Sequence, residues 1–279
     1  MPTVKEIAAA IEKIAPRELA GDWDNVGALV DNGGEVSSVL VSLDITDDVV
    51  NEAEQAGCQL IVAHHPVIFH PLKSLVYGST VYRMVKKGIS AVCAHTNLDA
   101  AAGGVNDILA GIFGIAEAEV FAGFGRVGNL REEATPLQLA QKCSKKFGAH
   151  VKLADAGRTV RRLAVLGGSG GGLLEEALAA EADCILTGEA DHHDAIDSVH
   201  AGVSLIVAGH FHTEFPVVPV LAGWLAKQYP GVKVQLSRRN CDPFRHIVPP
   251  EAPRIVVQKD DLGRGEDKKQ PDTQGEGEA

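Results

Sequence analysis

The sequence predicts an α/β protein built as two related α/β domains. Two observations carry that expectation. Short runs that are apolar on both faces alternate with segments of helical period, the pattern of a parallel sheet covered on each side. A strand–turn–helix–strand unit then recurs without a gap, at the offset that carries Val39 to Leu163 and His65 to Glu189.

In chain order, Val4, Ile7, Ala8 and Ile11 have helical spacing and predict a helix over 4–14, ended before Pro16. Ser38–Leu43 reads as a strand, Asp47–Gln55 as a helix ending at Gly57, and Gln59–Ala63 and Ile89–Ala94 as two further strands. In the second unit Leu163–Gly167 takes the place of the strand 39–43, Glu176-Ala177 that of Glu52-Ala53, and Cys184-Ile185-Leu186 that of Leu60-Ile61-Val62. Ser204–Ala208 then plays the part of strand 89–94. The stretch Gly125–Gly148 reads as the hinge. It contains a helix opened by Thr135-Pro136, with the hydroxyl as N-cap and proline in the first turn. The Pro-rich segment Asn240–Pro253 would carry the chain back to the first half. The expected division is 1–125 plus 240–258 for the first domain and 126–239 for the second. Residues 259–279 form an acidic tail too poor in apolar side chains to offset chain entropy, and are expected to be disordered.

Composition narrows the function. The length of 279 residues suits two domains. Lys+Arg is 26 against 37 Asp+Glu, a formal charge of −11, which argues against a partner such as duplex DNA or an anionic membrane. No apolar run approaches the ~18 residues of a membrane span. Met1-Pro2-Thr3-Val4-Lys5 does not open a secretory signal. Five scattered cysteines with no Cys-x-x-Cys pair point to a reducing, cytoplasmic setting and exclude a thiolate metal cage. An aromatic content of 5% argues against a platform for single-stranded nucleic acid.

The chemistry lies just beyond the strands, where parallel sheets place ligands. His64-His65-Pro66 follows strand 59–63, and two adjacent imidazoles leaving a strand can each reach a different metal. His95-Thr96-Asn97-Leu98-Asp99 follows strand 89–94, with Asp99 either a ligand or a helix cap. Gly209-His210-Phe211-His212-Thr213-Glu214 follows strand 204–208, and the four-residue spacing puts His210 and Glu214 on one helical face. Nitrogen and oxygen donors without sulfur suit Zn²⁺, Fe²⁺, Mn²⁺, Ni²⁺ or Co²⁺. Five such ligands, one of them a bridging carboxylate, suffice for two divalent metal ions.

Trp23-Asp24-Asn25-Val26-Gly27, Ser42-Leu43-Asp44-Ile45-Thr46, Ala63-His64-His65-Pro66, His95–Asp99 with Gly103–Asp107, Gly125-Arg126-Val127-Gly128, Thr187-Gly188-Glu189 and Gly209-His210 with Thr213-Glu214 occur in this order. In these motifs, over about residues 4–250, the chain resembles the GTP cyclohydrolase I type 2 homologs, also called NIF-three-like proteins. The resemblance implies a dinuclear metal site in the cleft between two related α/β domains. It also implies its ligands: His64 and His210 on one metal, His65 and Asp99 on the other, and Glu214 shared by both. A ring-like homo-hexamer is implied as well. The family's loop after Val26-Gly27 usually reads differently from Ala28-Leu29-Val30-Asp31, and longer members carry an inserted domain for which this chain has no room. By position, Asp44, His95 and Thr96 could orient imidazoles or waters, and Glu189, His192 and His193 could line the pocket.

The function implied is a metal-dependent hydrolase that opens the GTP purine ring and releases formate. The alternatives are a phosphoesterase acting on nucleotides or nucleic acid ends, and a non-catalytic metal-binding scaffold. Gly167–Gly172 lacks the Lys-Ser/Thr of a P-loop, although its backbone could receive a phosphate or serve as a plain turn. Arg126 and Arg161 are the cations that could meet a polyanionic substrate.

Overall fold

The computed structural model describes residues 1–247, so the tail expected at 259–279 lies outside the described residues. The chain runs α1 (Val4–Ile14), β1 (Gly27–Val30), β2 (Ser38–Ser42), α2 (Asp47–Gln55), β3 (Leu60–Ala63), α3 (Thr80–Lys87), β4 (Ser90–Cys93), α4 (Thr96–Ala100) and α5 (Val105–Phe113). It continues through β5 (Ile115–Phe121), β6 (Gly125–Ala134), α6 (Pro136–Phe147), β7 (Lys152–Ala154), β8 (Val160–Ser169), α7 (Leu174–Ala179), β9 (Cys184–Glu189) and α8 (His192–His200). It ends with β10 (Ser204–Val207), α9 (His210–Glu214), α10 (Val217–Gln228) and β11 (Lys233–Leu236).

Local chemistry sets the boundaries of the predicted helices. Thr3 and Glu6 form a capping box at the start of α1, and Thr135 and Gln138 do the same for α6, with Pro136 at its first position. Gly148 ends α6 in the left-handed region, which a residue without Cβ enters at little cost.

Among the described residues the strands form two mixed sheets, ordered β1-β4-β3-β2-β11 and β5-β6-β8-β9-β10-β7. Each has a parallel centre, as the doubly apolar runs required. β2, β3 and β4 pair in parallel, as do β8, β9 and β10. Val39 sits opposite Leu60 in the first sheet and Leu163 opposite Cys184 in the second, so one register serves both units. The sheets also have antiparallel edges, which the apolar pattern does not predict. β1 pairs with β4, β5–β6 is a long hairpin joined to β8, and β7 closes the far edge. The hairpin is not legible in the sequence, because its outer stretch carries Glu117, Glu119, Arg131, Glu132 and Glu133, which do not read as strand. The chain rejoins the first sheet at β11, which lies parallel to β2, ahead of the Pro-rich segment expected to do so.

Residues Met1–Phe244 form one compact unit. β3 shows how the core is built. Leu60, Ile61, Val62 and Ala63 are all fully buried, Leu60 and Val62 in one cluster with α1 and α10, Ile61 and Ala63 in another with α2 and α3. Each large aliphatic side chain so buried stabilises the fold by about 1.5–3 kcal/mol. α5 joins the two sheets. Val105 packs into the first core, while Leu109, Ala110 and Phe113 pack into the core of the second. This pins the carboxyl ends of β3 and β4 against α9, where the candidate ligands lie.

Candidate metal centre

Three strand ends deliver the side chains. His64 and His65 leave the ladder as β3 stops, and His65 N–H still donates to the Leu43 carbonyl at 2.8 Å. His95 follows β4 and starts α4, which carries Asp99. Gly209, at φ +90°, turns β10 into α9, so that His210 and Glu214 stand one turn apart with Nε2 and Oε2 separated by 3.1 Å. All five predicted ligands therefore meet in one place. The two neighbouring histidines engage different oxygens of Glu214: His64 Nε2 lies 3.8 Å from Oε1, and His65 Nε2 lies 2.9 Å from Oε2.

The geometry groups His64 with Asp99 and Glu214, and His65 with His210 and Glu214. This exchanges the partners that the resemblance implied for His64 and His65. The reason is placement: His64 is buried and faces Asp99 at 3.6 Å, while His65 is half-buried and its ring lies 5.3 Å from that of His210. A third group joins His64 and His65 to His95, which the sequence placed only behind the ligands.

The histidines share one tautomeric arrangement. Nδ1 of His64 donates to the Ala94 carbonyl at 2.9 Å, Nδ1 of His65 to Asp44 at 2.7 Å, and Nδ1 of His95 to Asp24 at 2.8 Å. Nδ1 of His210 lies 3.2 Å from Glu189. Nε2 is thereby left as the free donor atom, and metal-binding histidines are commonly oriented in this way. Asp44 is itself held by Asn240 Nδ2 at 3.0 Å, and Asp24 accepts from Thr96 N–H at 3.0 Å and Thr96 O–H at 2.5 Å. Asp44 thus orients an imidazole as anticipated and Thr96 acts through Asp24, whereas Glu189, expected to line the pocket, stands behind His210. Asp24 and Asn240 were not anticipated. Asp24 could have been found within the Trp23–Gly27 motif, whereas Asn240, so distant in sequence, gave no signal.

Three buried polar atoms at this point have no hydrogen-bond partner: His64 Nε2, Asp99 Oδ1 and Glu214 Oε2. The contacts of Glu214 Oε2 with His65 and His210 have the length of hydrogen bonds without their direction. Buried polar groups are nearly always satisfied, and each exception requires an explanation such as an ion. The donor set therefore fits divalent metal.

Electrostatics agree. Burial opposes charge on His65, but Asp44 and Glu214 outweigh it and raise the ring to about 10. Burial likewise opposes charge on His210, and Glu214 with Glu189 raises it to about 9. Burial pushes the Asp99 carboxyl up to about 6, with the Glu214 charge adding to the effect against the pull of His64. Glu214 is held well below the ordinary carboxylate range, because the surrounding imidazoles more than offset its desolvation. A nest of buried carboxylates draws positive charge to itself, as protons or as metal.

Glycines clear the space. A Cβ at Gly168, whose φ is +68°, would lie 2.2 Å from Glu214 Oε1 and 3.2 Å from His210 Nε2. A Cβ at Gly188 would meet the Thr213 hydroxyl at 2.7 Å. The Gly-rich stretch thus owes its first residues to room for Glu214, and the helix after it, α7, is only six residues long.

The two arginines proposed for substrate are engaged elsewhere. Arg126 is buried, paired with Asp107 at 2.5 Å and donating to the Ala100 carbonyl at 2.7 Å. Arg161 is exposed and paired with Glu133. His192 and His193 lie exposed on α8, a polar helix face.

The fold and this cluster define a class: a mixed α/β protein with buried His and carboxylate groups able to hold metal. The chain belongs to the Duf34/NIF3 (NGG1p interacting factor 3) family, whose model matches residues 2–243. It is 32% identical over 262 residues to a Clostridium acetobutylicum protein named GTP cyclohydrolase 1 type 2 homolog, covering 87% of this chain and 98% of the other. A Lactococcus lactis protein of the same name is 35% identical over 258 residues, covering 88% and 99%. Among solved structures, a Staphylococcus aureus hypothetical protein superimposes with a TM-score of 0.80 at 27% identity, covering 88% of this chain and 99% of that one. A Bacillus cereus protein related to NIF3 shares the fold, with a TM-score of 0.80 at 24% identity over 88% of this chain and 99% of its own. Among the described residues no helix is long and apolar enough to cross a membrane.

Proposed function

We propose that this chain is a dinuclear metal-dependent hydrolase acting on a small molecule. In line with the name of its relatives, the reaction we favour is opening of the GTP purine ring with release of formate. The observation that carries the reading is the set of unsatisfied buried atoms that His64, Asp99 and Glu214 bring to one cluster. His64, Asp99 and Glu214 would hold one divalent ion, and His65, His210 and Glu214 the other. Ions of the Zn, Fe, Mn, Ni or Co type bound there would supply Lewis acidity and activate water at neutral pH. The chain's own part is orientation. Asp44 keeps a proton on His65 Nδ1, Asp24 keeps one on His95 Nδ1, and the Ala94 carbonyl keeps one on His64 Nδ1. Each imidazole then turns Nε2 inward without needing to rotate. We extend the proposal to a cytoplasmic homo-hexamer, on the family resemblance.

A phosphoesterase is the alternative, and the commitment of Arg126 to Asp107 and of Arg161 to Glu133 favours neither reading, since GTP is a polyanion as well. The test is metal-loaded protein incubated with GTP and assayed for formate and for phosphate. Formate release that disappears in His65→Ala, with the fold intact, supports ring opening. Phosphate alone would transfer the site to the phosphoesterase class. Two bound metal equivalents with neither product would overturn the hydrolytic reading.

A further inference from the structure

Beside the cluster stands a pair of aromatic rings that the metal-binding reading does not use. Trp23 is 60% exposed and Phe69 is 37% exposed. Their centroids lie 5.8 Å apart at an interplanar angle of 47°. Both meet the ring of His95 nearly edge-on, Trp23 at 6.3 Å and Phe69 at 6.2 Å. His95 in turn lies 5.2 Å from the ring of His64 and 5.5 Å from that of His65. The indole and phenyl rings thus form a wall one imidazole removed from the candidate ligands.

The loops that carry this wall are tied to one another and to His95 and Thr96. Asp24, next to Trp23, is tied to His95 and to both the N–H and the hydroxyl of Thr96. Gly21 N–H donates to the same Thr96 hydroxyl at 3.0 Å. The indole lies so close over Gly21 that a Cβ there would come within 2.9 Å of its ring. Asn25 Nδ2 donates to the Ile68 carbonyl at 2.6 Å, which fastens the Trp23 loop to the Phe69 loop. A large apolar ring left in water normally gains from moving onto a neighbour. Here hydrogen bonds hold the chain on both sides of Trp23, and the indole packs over Gly21 while staying 60% exposed beside His95.

We infer that Trp23, supported by Phe69, is the stacking surface for a planar heteroaromatic ring of the substrate. The inference rests on the hydrolase reading and adds to it the class of group recognised. The centroid separation leaves no slot for a ring between the two aromatics, so a single ring stacks on the exposed face of the wall. Stacking of a base on an aromatic side chain needs no charge complementarity. That suits a chain of net charge −11, whose cluster is rich in carboxylates. A nucleobase stacked there stands one imidazole removed from the candidate ligands, and its flat face matches the indole better than an aliphatic group would.

The test uses the full chain loaded with Zn²⁺ in a Trp224→Phe background, which leaves Trp23 as the sole tryptophan. Guanosine, which carries the ring without phosphate, should quench Trp23 emission saturably, and ribose should not. Calorimetry should find guanosine bound roughly tenfold more weakly by Trp23→Leu, and at near-parental affinity by Trp23→Phe. Phe69→Leu provides a second variant, with a smaller loss in the same direction. Emission unchanged by guanosine, or equal affinities for the parent and Trp23→Leu, would overturn the inference. So would emission that shifts with protein concentration and ignores guanosine, which would assign the wall to a second copy of this chain. The two readings fail separately. Quenching without turnover of any nucleotide supports the wall and counts against the hydrolase. Turnover with KM unchanged in Trp23→Leu supports the hydrolase and removes the wall.

Discussion

Asp44 Oδ1 accepts a hydrogen bond from His65 Nδ1 at 2.7 Å, and this one contact decides which nitrogen of His65 faces Glu214. Removing such a partner typically weakens metal binding by about 10–100-fold. Asp44→Ala should therefore lose affinity for one metal equivalent by that order and keep the other, which His64 and Asp99 would hold. Competitive Zn²⁺ titration measures both. Two unchanged affinities would mean that Asp44 plays no part in orienting His65.

Glu214 is common to both groups of ligands, whereas Asp99 belongs to one. Glu214→Ala should abolish both metal equivalents in the purified protein. Asp99→Ala should leave one, bound by His65 and His210. Elemental analysis of the two variants decides it. A Glu214→Ala protein that still carries two equivalents rules out a shared carboxylate. Loss of both from Asp99→Ala contradicts the grouping seen here.

Much of this was readable in the residues. α1 and α2 begin and end where periodicity and the breakers Pro16 and Gly57 placed them, and the doubly apolar β3 and β4 predicted a parallel centre. The five candidate ligands converge because each stands at a strand end or in the short helix that follows one, a position that pattern reveals. What stayed hidden depends on side-chain direction or on long-range contacts. Which oxygen of Glu214 each histidine meets follows from how the chain leaves β3, not from spacing. Arg126 looked like a substrate cation, yet it is buried and spends its donors on Asp107 and on backbone carbonyls. The β5–β6 hairpin carries a charged outer stretch, so its strands are set by pairing, β5 with β6 and β6 with β8, and not by propensity.

Protons and metal compete for the same nitrogens. With His65 raised to about 10 and His210 to about 9, the metal-free rings carry protons at neutral pH. Metal uptake must displace them. Calorimetry in buffers of different ionisation enthalpy at pH 7 should show protons released on Zn²⁺ binding, and affinity should rise with pH toward 9. Stability of the metal-free protein runs the other way. Raised folded-state values mean that these groups stabilise fully below the unfolded value near 6.5, and that the contribution fades as pH climbs through 9 to 10. Zero proton release at pH 7 would contradict the assignment.

Gly168 combines a positive φ with the closest approach to Glu214. Gly168→Ala should cost at least about 1–2 kcal/mol from the left-handed backbone alone. The added methyl would also push the Glu214 carboxylate from its place, so metal content should fall with stability. Denaturant unfolding and elemental analysis on the same preparation check both. A variant as stable as the parent, with full metal, would show that the loop yields without disturbing Glu214.

Glu52 closes the far end of the first sheet. Its carboxylate accepts from the Ser237 hydroxyl at 2.6 Å, the Arg238 N–H at 2.9 Å and the Arg239 N–H at 3.3 Å, fastening α2 to the chain just after β11. Desolvation opposes ionisation here, but these donors outweigh it and lower the carboxyl below its ordinary 4.5. A lowered folded-state value stabilises above the unfolded one, and the contribution disappears as pH falls through the folded value. Glu52→Gln keeps one acceptor oxygen and turns an amide donor toward the remaining N–H groups. The cost at pH 7 should be about 1 kcal/mol, the scale of the hydrogen bonds lost, moderated because the group is partly in water. The gap between parent and variant in urea unfolding should hold from pH 7 to 5 and narrow as pH falls below 4.5 and through the lowered folded-state value. A gap of constant size down to pH 3 would show that the ionised form of Glu52 is not what fastens β11 to α2.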